Sequence, residues 1–400
     1  MTAFEPINAA DVRLSRSAGR MLDEIRRRGA TSRADIVEAL ELSPGAVSTV
    51  SAELIERGLV RETGADASPR SGRGRPRVAL EVNPHAAYFV GAKLSDRATT
   101  VSIMNFGGEL LASEAIARPS PAISTGALAA DLDAGIDRAL AAIGLPRDAL
   151  SALGLGVPGY VELETGLLRW SPLVSGAPFA VKPVLEDRLG LPVHVDNDAN
   201  LATLAELWFG YGRSERSFLT VTVEHGVGLG VVIDGALFRG GRGLGSEFGH
   251  TKVQYEGALC RCGQRGCIEA YVADYAIARE ATAALSGAAR GLDDEEAMAS
   301  LAAAATAGDD VARSIFARAG RMLGLGLANL ANLFDPGMIV LTGARMKHHH
   351  LMAEAMAATL SLNSLDTGRE PVQPMVHRWG DELWARGAGA LAIDRSIRDA

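Results

Sequence analysis

The three cysteines of the chain fall in one eight-residue window, Cys260-Arg261-Cys262-Gly263-Gln264-Arg265-Gly266-Cys267, with Gly249-His250 just upstream and Glu269 just downstream. Thiolates and imidazole are ligands that zinc favours, and three of one with one of the other complete a tetrahedron with no position left for water. A hydrolytic zinc keeps such a position open, so the expected metal is structural. Unrelated buried thiols are the competing reading, because free cysteine packs like a small apolar residue. Such thiols would not collect in one window with Gly263 and Gly266 between them. Glu247 and Glu269 flank the loop, so a metal there would also hold two carboxylates in place.

A loop with this chemistry must be carried by folded elements. At 400 residues the chain is long enough for two or three domains with full cores. Its 48% hydrophobic and 22% charged residues are ordinary for a soluble globular protein. No apolar run reaches the roughly eighteen residues of a membrane span, and residues 1–20 hold charges where a signal peptide has an apolar stretch. The expectation is a cytoplasmic protein without a membrane partner, in a reducing compartment that suits metal-held thiolates. Charge is uneven. Residues 1–77 hold thirteen Arg against eleven Asp and Glu, a balance of +2, which leaves −10 on the rest of a chain whose net charge is −8. Lysine is confined to Lys93, Lys182, Lys252 and Lys347. A mildly basic end on an acidic body points that end toward nucleic acid.

Three helices are predicted there. Residues 14–28 put Met21, Leu22 and Ile25 on one face. Thr31-Ser32 offers an N-cap to a short helix carrying Ile36, Val37 and Leu40 and ending near Glu41. Ser43-Pro44 starts a third, with serine as cap and proline at the first helical position; it buries Val47, Val50, Leu54 and Ile55 and stops at Gly58. Two short helices joined by a tight turn make a helix-turn-helix. Gly45, Ala46, Ser48, Thr49 and Ala52 face outward and are small enough for close approach to base edges in a major groove. Residues 59–63 and 78–82 read as the strands of a wing, whose loop carries Arg70, Arg73, Arg75 and Arg77 among glycines and suits a narrow minor groove. The expected DNA contacts are Arg33, Ser43, Ala46, Ser48, Thr49, Arg73, Arg75 and Arg77, with Arg26, Arg27 and Arg28 as further phosphate partners. A small bundle that docks protein, followed by a solvated arginine linker, is the alternative.

From residue 86 onward strand-like and helix-like stretches alternate, which indicates an α/β architecture. Residues 88–94 and 99–104 read as a hairpin and 122–143 as a helix. Residues 152–159 read as a buried strand entering a Gly-Pro turn. Residues 191–200 read as a strand with a polar end, before a helix to Leu207. Residues 217–223 and 228–233 form a second predicted hairpin, 311–333 a helix and 338–343 a late strand. Lys347-His348-His349-His350 reads as a solvated loop without a role. Polar loops at strand ends are where such folds place ligands.

Several motifs on this body are specific. Gly156-Val157-Pro158-Gly159, Asn197-Asp198-Ala199-Asn200, Glu247-Phe248-Gly249-His250, the Cys-x-Cys-Gly-x-x-Gly-Cys-x-Glu run and Asp335-Pro336 before a strand together resemble the ROK family. That family groups sugar kinases with repressors built on the same body. The resemblance covers most of residues 86–400, and its repressor members also resemble residues 14–82. It implies an α/β, actin-like (ribonuclease-H-like) two-domain body behind an N-terminal winged helix-turn-helix. Residues 1–82 would be the DNA-binding domain, 86–198 plus about 376–400 the first α/β subdomain, and 199–375 the second, with the zinc loop. The resemblance also implies Zn2+ as cofactor, held by His250, Cys260, Cys262 and Cys267. Glu247, His250 and Glu269 would contact sugar hydroxyls, with Asp198 in the place of the kinase general base and Asn197 beside it. Carboxylates accept hydrogen bonds from vicinal hydroxyls, and a zinc-bound imidazole donates through its free ring nitrogen. Asn197-Asp198-Ala199-Asn200 would equally cap a helix.

Kinase members hold ATP phosphates in two Gly-rich turns. The first reads Asp-x-Gly-Gly-Thr, and here stands Lys93-Leu94-Ser95-Asp96-Arg97; the second reads Gly-Thr-Gly, and here stands Glu224-His225-Gly226. A third Gly-Gly, near the base, is here Gly343-Ala344. Both phosphate turns have therefore gained carboxylate or bulk. The expectation is a sugar-responsive DNA-binding regulator, a repressor, that is not an enzyme. As a homodimer or homotetramer it would bind a palindromic double-stranded operator. The alternatives are a bifunctional ATP-dependent sugar kinase with a DNA-binding head, and a ligand-independent repressor with a vestigial pocket. Leu173 stands where kinase members often carry asparagine, which leaves the sugar open.

Overall fold

The computed structural model describes residues 13–64, 78–176, 178–241, 243, 245–284, 292–379 and 382–398. The wing arginines Arg70, Arg73, Arg75 and Arg77 lie outside the described residues. The chain divides into two compact units, Met1–Ser214 with Leu383–Ala400, and Glu215–Glu382.

In the first unit the three N-terminal helices form as α1 (Arg16–Arg28), α2 (Arg33–Leu40) and α3 (Pro44–Glu56). A side chain starts each one. Ser15 accepts from the Ala18 N–H, Ser32 and Asp35 close a capping box, and Ser43 accepts from the Ala46 N–H ahead of Pro44. These caps satisfy amides that a first helical turn leaves without partners. Strands β1 (Thr31–Ser32), β2 (Val60–Thr63) and β3 (Ala79–Val82) pair antiparallel in the order β1-β3-β2, which gives the helix-turn-helix the base of a wing.

The sheet that follows is built from β4 (Tyr88–Leu94), β5 (Ala98–Asn105), β6 (Leu110–Ala117) and β7 (Leu150–Val157). A small antiparallel sheet of β8 (Tyr160–Glu162), β9 (Leu167–Trp170) and β10 (Phe179–Ala180) comes next, and then β11 (Val193–Asn197). The large sheet runs β11-β7-β4-β5-β6: a meander of three antiparallel strands, with β7 and β11 parallel to β4. Parallel neighbours need crossovers, here through α4 (Thr125–Ile143) before β7 and α5 (Val181–Leu189) before β11; α6 (Asp198–Phe209) follows β11. The winged helix does not close a core of its own. Met21, Leu22 and Ile25 of α1 and Val47 and Leu54 of α3 share one apolar cluster with Phe89 and Met104 of the sheet, with Phe106 just past β5, and with Ile393 and Ile397.

The second unit repeats the sheet. Strands β12 (Phe218–Val223), β13 (Val227–Ile233), β14 (Ala236–Phe238), β15 (Ile339–Thr342) and β16 (Met375–Val376) lie in the order β14-β13-β12-β15-β16. Again three strands meander and two run parallel to the first. The same ribonuclease-H-like order thus occurs twice. Where the first unit has α4 between its third and fourth strands, the second has the cysteine loop, α7 (Glu269–Val272), α8 (Asp274–Ala284), α9 (Asp294–Ala307) and α10 (Asp310–Phe334); α11 (Ala353–Asn363) leads on to β16. The chain then returns to the first unit as α12 (Glu382–Arg398). α12 lies hard against β7: a Cβ on Gly154 would stand 2.0 Å from the Ala388 carbonyl oxygen. Among the described residues no helix is long and apolar enough to cross a membrane.

Several elements differ from their sequence pattern. α4 starts at Thr125 rather than at residue 122, because Ser124 caps it and Ile123 bridges to Val174. Asp198, Ala199 and Asn200 belong to α6 and not to the strand, since Asn197 accepts the Ala199 N–H and starts the helix. Lys347-His348-His349-His350 is not a solvated loop: it forms part of a 3-10 stretch, Ala344–Leu351, with His348 and His349 half-buried. Strand β6, LLASEAIA, is a half-exposed edge strand built mostly of helix-favouring alanine and leucine, so its pattern gives little sign of a strand.

Candidate functional site

The cysteine loop is shaped by its own backbone. Cys260 N–H donates to the Gln264 carbonyl (2.8 Å), Gly263 N–H to Cys260 (3.0 Å) and Gly266 N–H to Ala258 (2.9 Å). Gly263 and Gly266 sit at φ 85° and 78°, a region that strains any residue with a side chain. Lys252 and Cys267 form an antiparallel bridge, and Ile268 N–H donates to the Thr251 carbonyl (3.0 Å). The segment after His250 is thereby laid along the end of the loop. α10 supports both: its Gly326 leaves room for Phe248 and Ile268, whose side chains would stand 2.8 and 2.5 Å from a Cβ there.

The result is a four-donor cluster. The ligand atoms of His250, Cys260, Cys262 and Cys267 all lie within 4.8 Å of one another. Cys260 Sγ stands 3.7 Å from His250 Nδ1, and Cys262 Sγ 3.7 Å from Cys267 Sγ. A tetrahedron with zinc–sulfur bonds of about 2.3 Å has edges of about 3.8 Å, which these two pairs match, and the four donors together are close enough to share one ion. Burial pushes the Cys260 thiol up to about 12, so a bound cation has to displace its proton. Cys262 moves the other way. Its partial burial raises it, but bonds from the Gln264 backbone and with Cys260 and Cys267, together with the Lys252 charge, bring it below an ordinary thiol. Two residues that the sequence pattern does not single out complete the surroundings: Tyr275 O–H points to Cys260 Sγ at 3.6 Å, and Lys252 Nζ donates to Cys267 Sγ at 3.0 Å.

Glu269 joins this cluster to the β12–β13 hairpin. One carboxylate oxygen lies 3.5 Å from Cys260 Sγ, and the other accepts the Val227 N–H at 3.3 Å. Glu247 is exposed and is tied in through its carbonyl, which accepts the His250 N–H at 3.1 Å. The hairpin's turn is Glu224-His225-Gly226, the counterpart of the second phosphate turn. Both backbone groups of Glu224 are engaged: its N–H donates to the Gly226 carbonyl, and its carbonyl accepts from the Asp274 N–H. His225 Nδ1 stands 3.2 Å from the buried Asp274 carboxylate. Gly343, at φ 108°, touches the same place, where a Cβ would come within 2.7 Å of the Val223 carbonyl oxygen and 2.9 Å of Glu224 Cγ.

In the first unit Asn197 caps α6 and donates from Nδ2 to the Gly159 carbonyl at 2.8 Å, which links the strand end to the Gly-Pro turn. Asp198 is half-buried and accepts the Ala199 N–H at 2.9 Å. Leu173 is buried in the core of this unit. The counterpart of the first phosphate turn is a closed hairpin turn, with Ser95 N–H donating to the Ala98 carbonyl (2.9 Å). Lys93 places its ammonium 3.8 Å from the centre of the Trp384 ring.

On the winged helix, Ser43, Ala46, Ser48 and Thr49 are exposed at the start of α3, and Thr49 Oγ1 donates back to the Gly45 carbonyl (3.1 Å). Arg33 is a tie between elements: Nε donates to Ser51 (2.8 Å) and one terminal nitrogen to Glu62 (2.8 Å). The expectation that Arg26 contacts phosphate is corrected. Its guanidinium is buried 4.2 Å from the centre of the Trp208 ring and 3.4 Å from Asp23, because α1 packs on the α/β sheet at this point. Arg27 and Arg28 both pair with Glu24.

The sequence model of the ROK family matches residues 95–395, and that of the MarR family residues 14–71. The chain is 27% identical over 371 residues to a xylose repressor of Caldicellulosiruptor bescii, covering 90% of this chain and 91% of that one. It is 33% identical over 313 residues to a glucokinase of Halalkalibacterium halodurans, covering 76% of this chain and 94% of the kinase. The crystal structure of a ROK family transcriptional regulator, a homologue of the E. coli MLC protein, superposes with a TM-score of 0.79 at 28% identity, over 97% of this chain and 96% of its own. The expected α/β, actin-like body behind a winged helix-turn-helix is borne out by the doubled sheet order and by these matches. From the span of the family match and the motifs it covers, the chain belongs to the ROK family.

Proposed function

We propose that this ROK member is a sugar-responsive, DNA-binding repressor without kinase activity. The observation that carries the reading is one chain that joins a winged helix to a ROK body whose two phosphate turns are closed. Likeness over nearly the whole chain to a xylose repressor and to a ROK transcriptional regulator supports the DNA-binding part. Likeness of the body to a glucokinase supports a sugar as the ligand class.

Zn2+ on His250, Cys260, Cys262 and Cys267 would be structural, because protein fills all four positions. Asn197, Asp198, Glu247, His250 and Glu269 are the proposed partners of sugar hydroxyls. The carboxylates accept, and His250, whose Nδ1 faces Cys260 Sγ and would hold the metal, would donate through Nε2. On the DNA side, the start of α3 with Ser43, Ala46, Ser48 and Thr49 meets base edges. Arg73, Arg75 and Arg77 supply the wing, and Arg33 orients α3 and contacts phosphate beside it. A homodimer or homotetramer on a palindromic operator follows from the pairing of such heads. Sugar binding then shifts the population between two arrangements of the assembly.

A sugar kinase needs free backbone donors and a metal-facing carboxylate around ATP phosphates. Lys93 on the Trp384 ring puts a cation where the carboxylate should stand, and Glu224, whose N–H is spent on the Gly226 carbonyl, brings negative charge to the second turn. Incubation with ATP, magnesium and a panel of hexoses and pentoses is expected to give no sugar-dependent ADP. Turnover on the order of 1 per second or more would contradict the reading and favour a bifunctional kinase.

A further inference from the structure

Three thiolates and a neutral imidazole leave a divalent ion with one net negative charge. The structure sets a cation against that charge. Lys252 Nζ stands 3.0 Å from Cys267 Sγ, 2.6 Å from Gln264 Oε1 and 3.0 Å from the His250 carbonyl oxygen. An ammonium has three protons to donate, and here each goes to a different part of the metal loop: the last ligand, the turn between the ligands, and the backbone of the first. The backbone bridge between Lys252 and Cys267 fixes where the side chain starts. The chain has only four lysines, and its other cations are arginines, whose flat guanidinium does not offer three donors in a tripod.

We propose that Lys252 is a positioning residue of the metal centre. It balances the tricysteinate charge and clamps Cys267 and the Gln264 turn to His250. The proposal rests on the zinc reading of the loop. A fixed ammonium at the rim favours the loaded, negatively charged set of ligands over the empty one. Tyr275 plays the neutral counterpart on the buried side, with its hydroxyl directed at Cys260.

The test uses the full chain and its Lys252→Met and Lys252→Arg variants. Methionine keeps the unbranched stem of the side chain and removes its amine and charge, whereas arginine keeps the charge. Each protein is loaded with zinc, and the metal is withdrawn by competition with a chromophoric chelator; melting of the metal-free proteins is recorded in parallel. The expected result is about one equivalent of zinc on each. K252M should hold it about tenfold more weakly, and K252R, which restores the charge without the tripod, more weakly than wild type but more tightly than K252M, with coincident melting of the metal-free forms. Equal zinc affinity in wild type and K252M overturns the role of Lys252 and leaves the metal reading standing. A lower melting temperature of K252M without metal makes Lys252 a strut of the fold, and also overturns the proposal. Failure of the wild type to take up stoichiometric zinc overturns the metal reading itself.

Discussion

Glu269 is the residue on which the chemistry of the second unit converges, since one carboxylate reaches both Cys260 and the β12–β13 hairpin. If it accepts a sugar hydroxyl, Glu269→Ala removes a charge-assisted bond of about 2 kcal/mol. Binding of the responsive sugar, followed by calorimetry, should weaken about thirtyfold while zinc content stays unchanged; unaltered affinity would remove Glu269 from the ligand site. Cys267→Ala should behave differently, abolishing stoichiometric zinc and lowering the melting temperature, because a structural zinc contributes folding free energy directly. The four-donor cluster is legible in the sequence because cysteine is rare here and the three cysteines are nearly contiguous. Lys252 is not legible, because its partners Gln264 and Cys267 lie 12 and 15 residues away and only the loop's backbone bridge brings them to it.

At the scale of elements, helix caps carry the most reliable sequence signal. Ser43 starts α3 as its hydroxyl and Pro44 require, and Ser43→Ala should cost about 1 kcal/mol in urea unfolding. The mounting of α1 on the sheet is invisible in the sequence. An apolar face serves an independent three-helix bundle and a helix shared between two cores equally well, and only the fold places Arg26 over Trp208. Burial pushes Asp23 up and Arg26 down from their ordinary ranges, so the pair depends on mutual support with Arg398. Removal of one partner strands a buried charge, and Arg26→Ala should destabilise the first unit by about 3 kcal/mol.

A second element-scale prediction concerns β11, where burial, with Lys182 and Arg395 nearby and Glu164 opposing them, lowers His194 to about 4. The unfolded chain titrates this group near about 6.5 and therefore binds the extra proton between the two values. Stability should be fully present above about pH 6.5, fall by about 3 kcal/mol as pH drops toward 4, and level off below. Equilibrium unfolding between pH 7 and 4 measures this slope, and His194→Gln should flatten it.

For the whole molecule, the alternation of strands and helices is enough to indicate α/β, but the repetition of one sheet order in both units appears only in the pairing registers. The candidate site is legible as motifs and not as geometry: the sequence shows altered phosphate turns, while the structure shows the Glu224 turn engaged by Asp274 and Glu269's hairpin. If zinc on this cluster braces a sugar site, as proposed, chelation should lower both thermal stability and the sugar response; a chelated protein that keeps its full response would separate the metal from the sensor.

The central claim, sugar control of DNA binding, is tested most directly by footprinting the DNA upstream of the protein's own gene while titrating xylose, glucose and a panel of further sugars and sugar phosphates. The expected result is a two-fold symmetric protected site whose apparent affinity changes at least about tenfold with one of these sugars. Protection that no sugar alters, or no protected site at all, would contradict it.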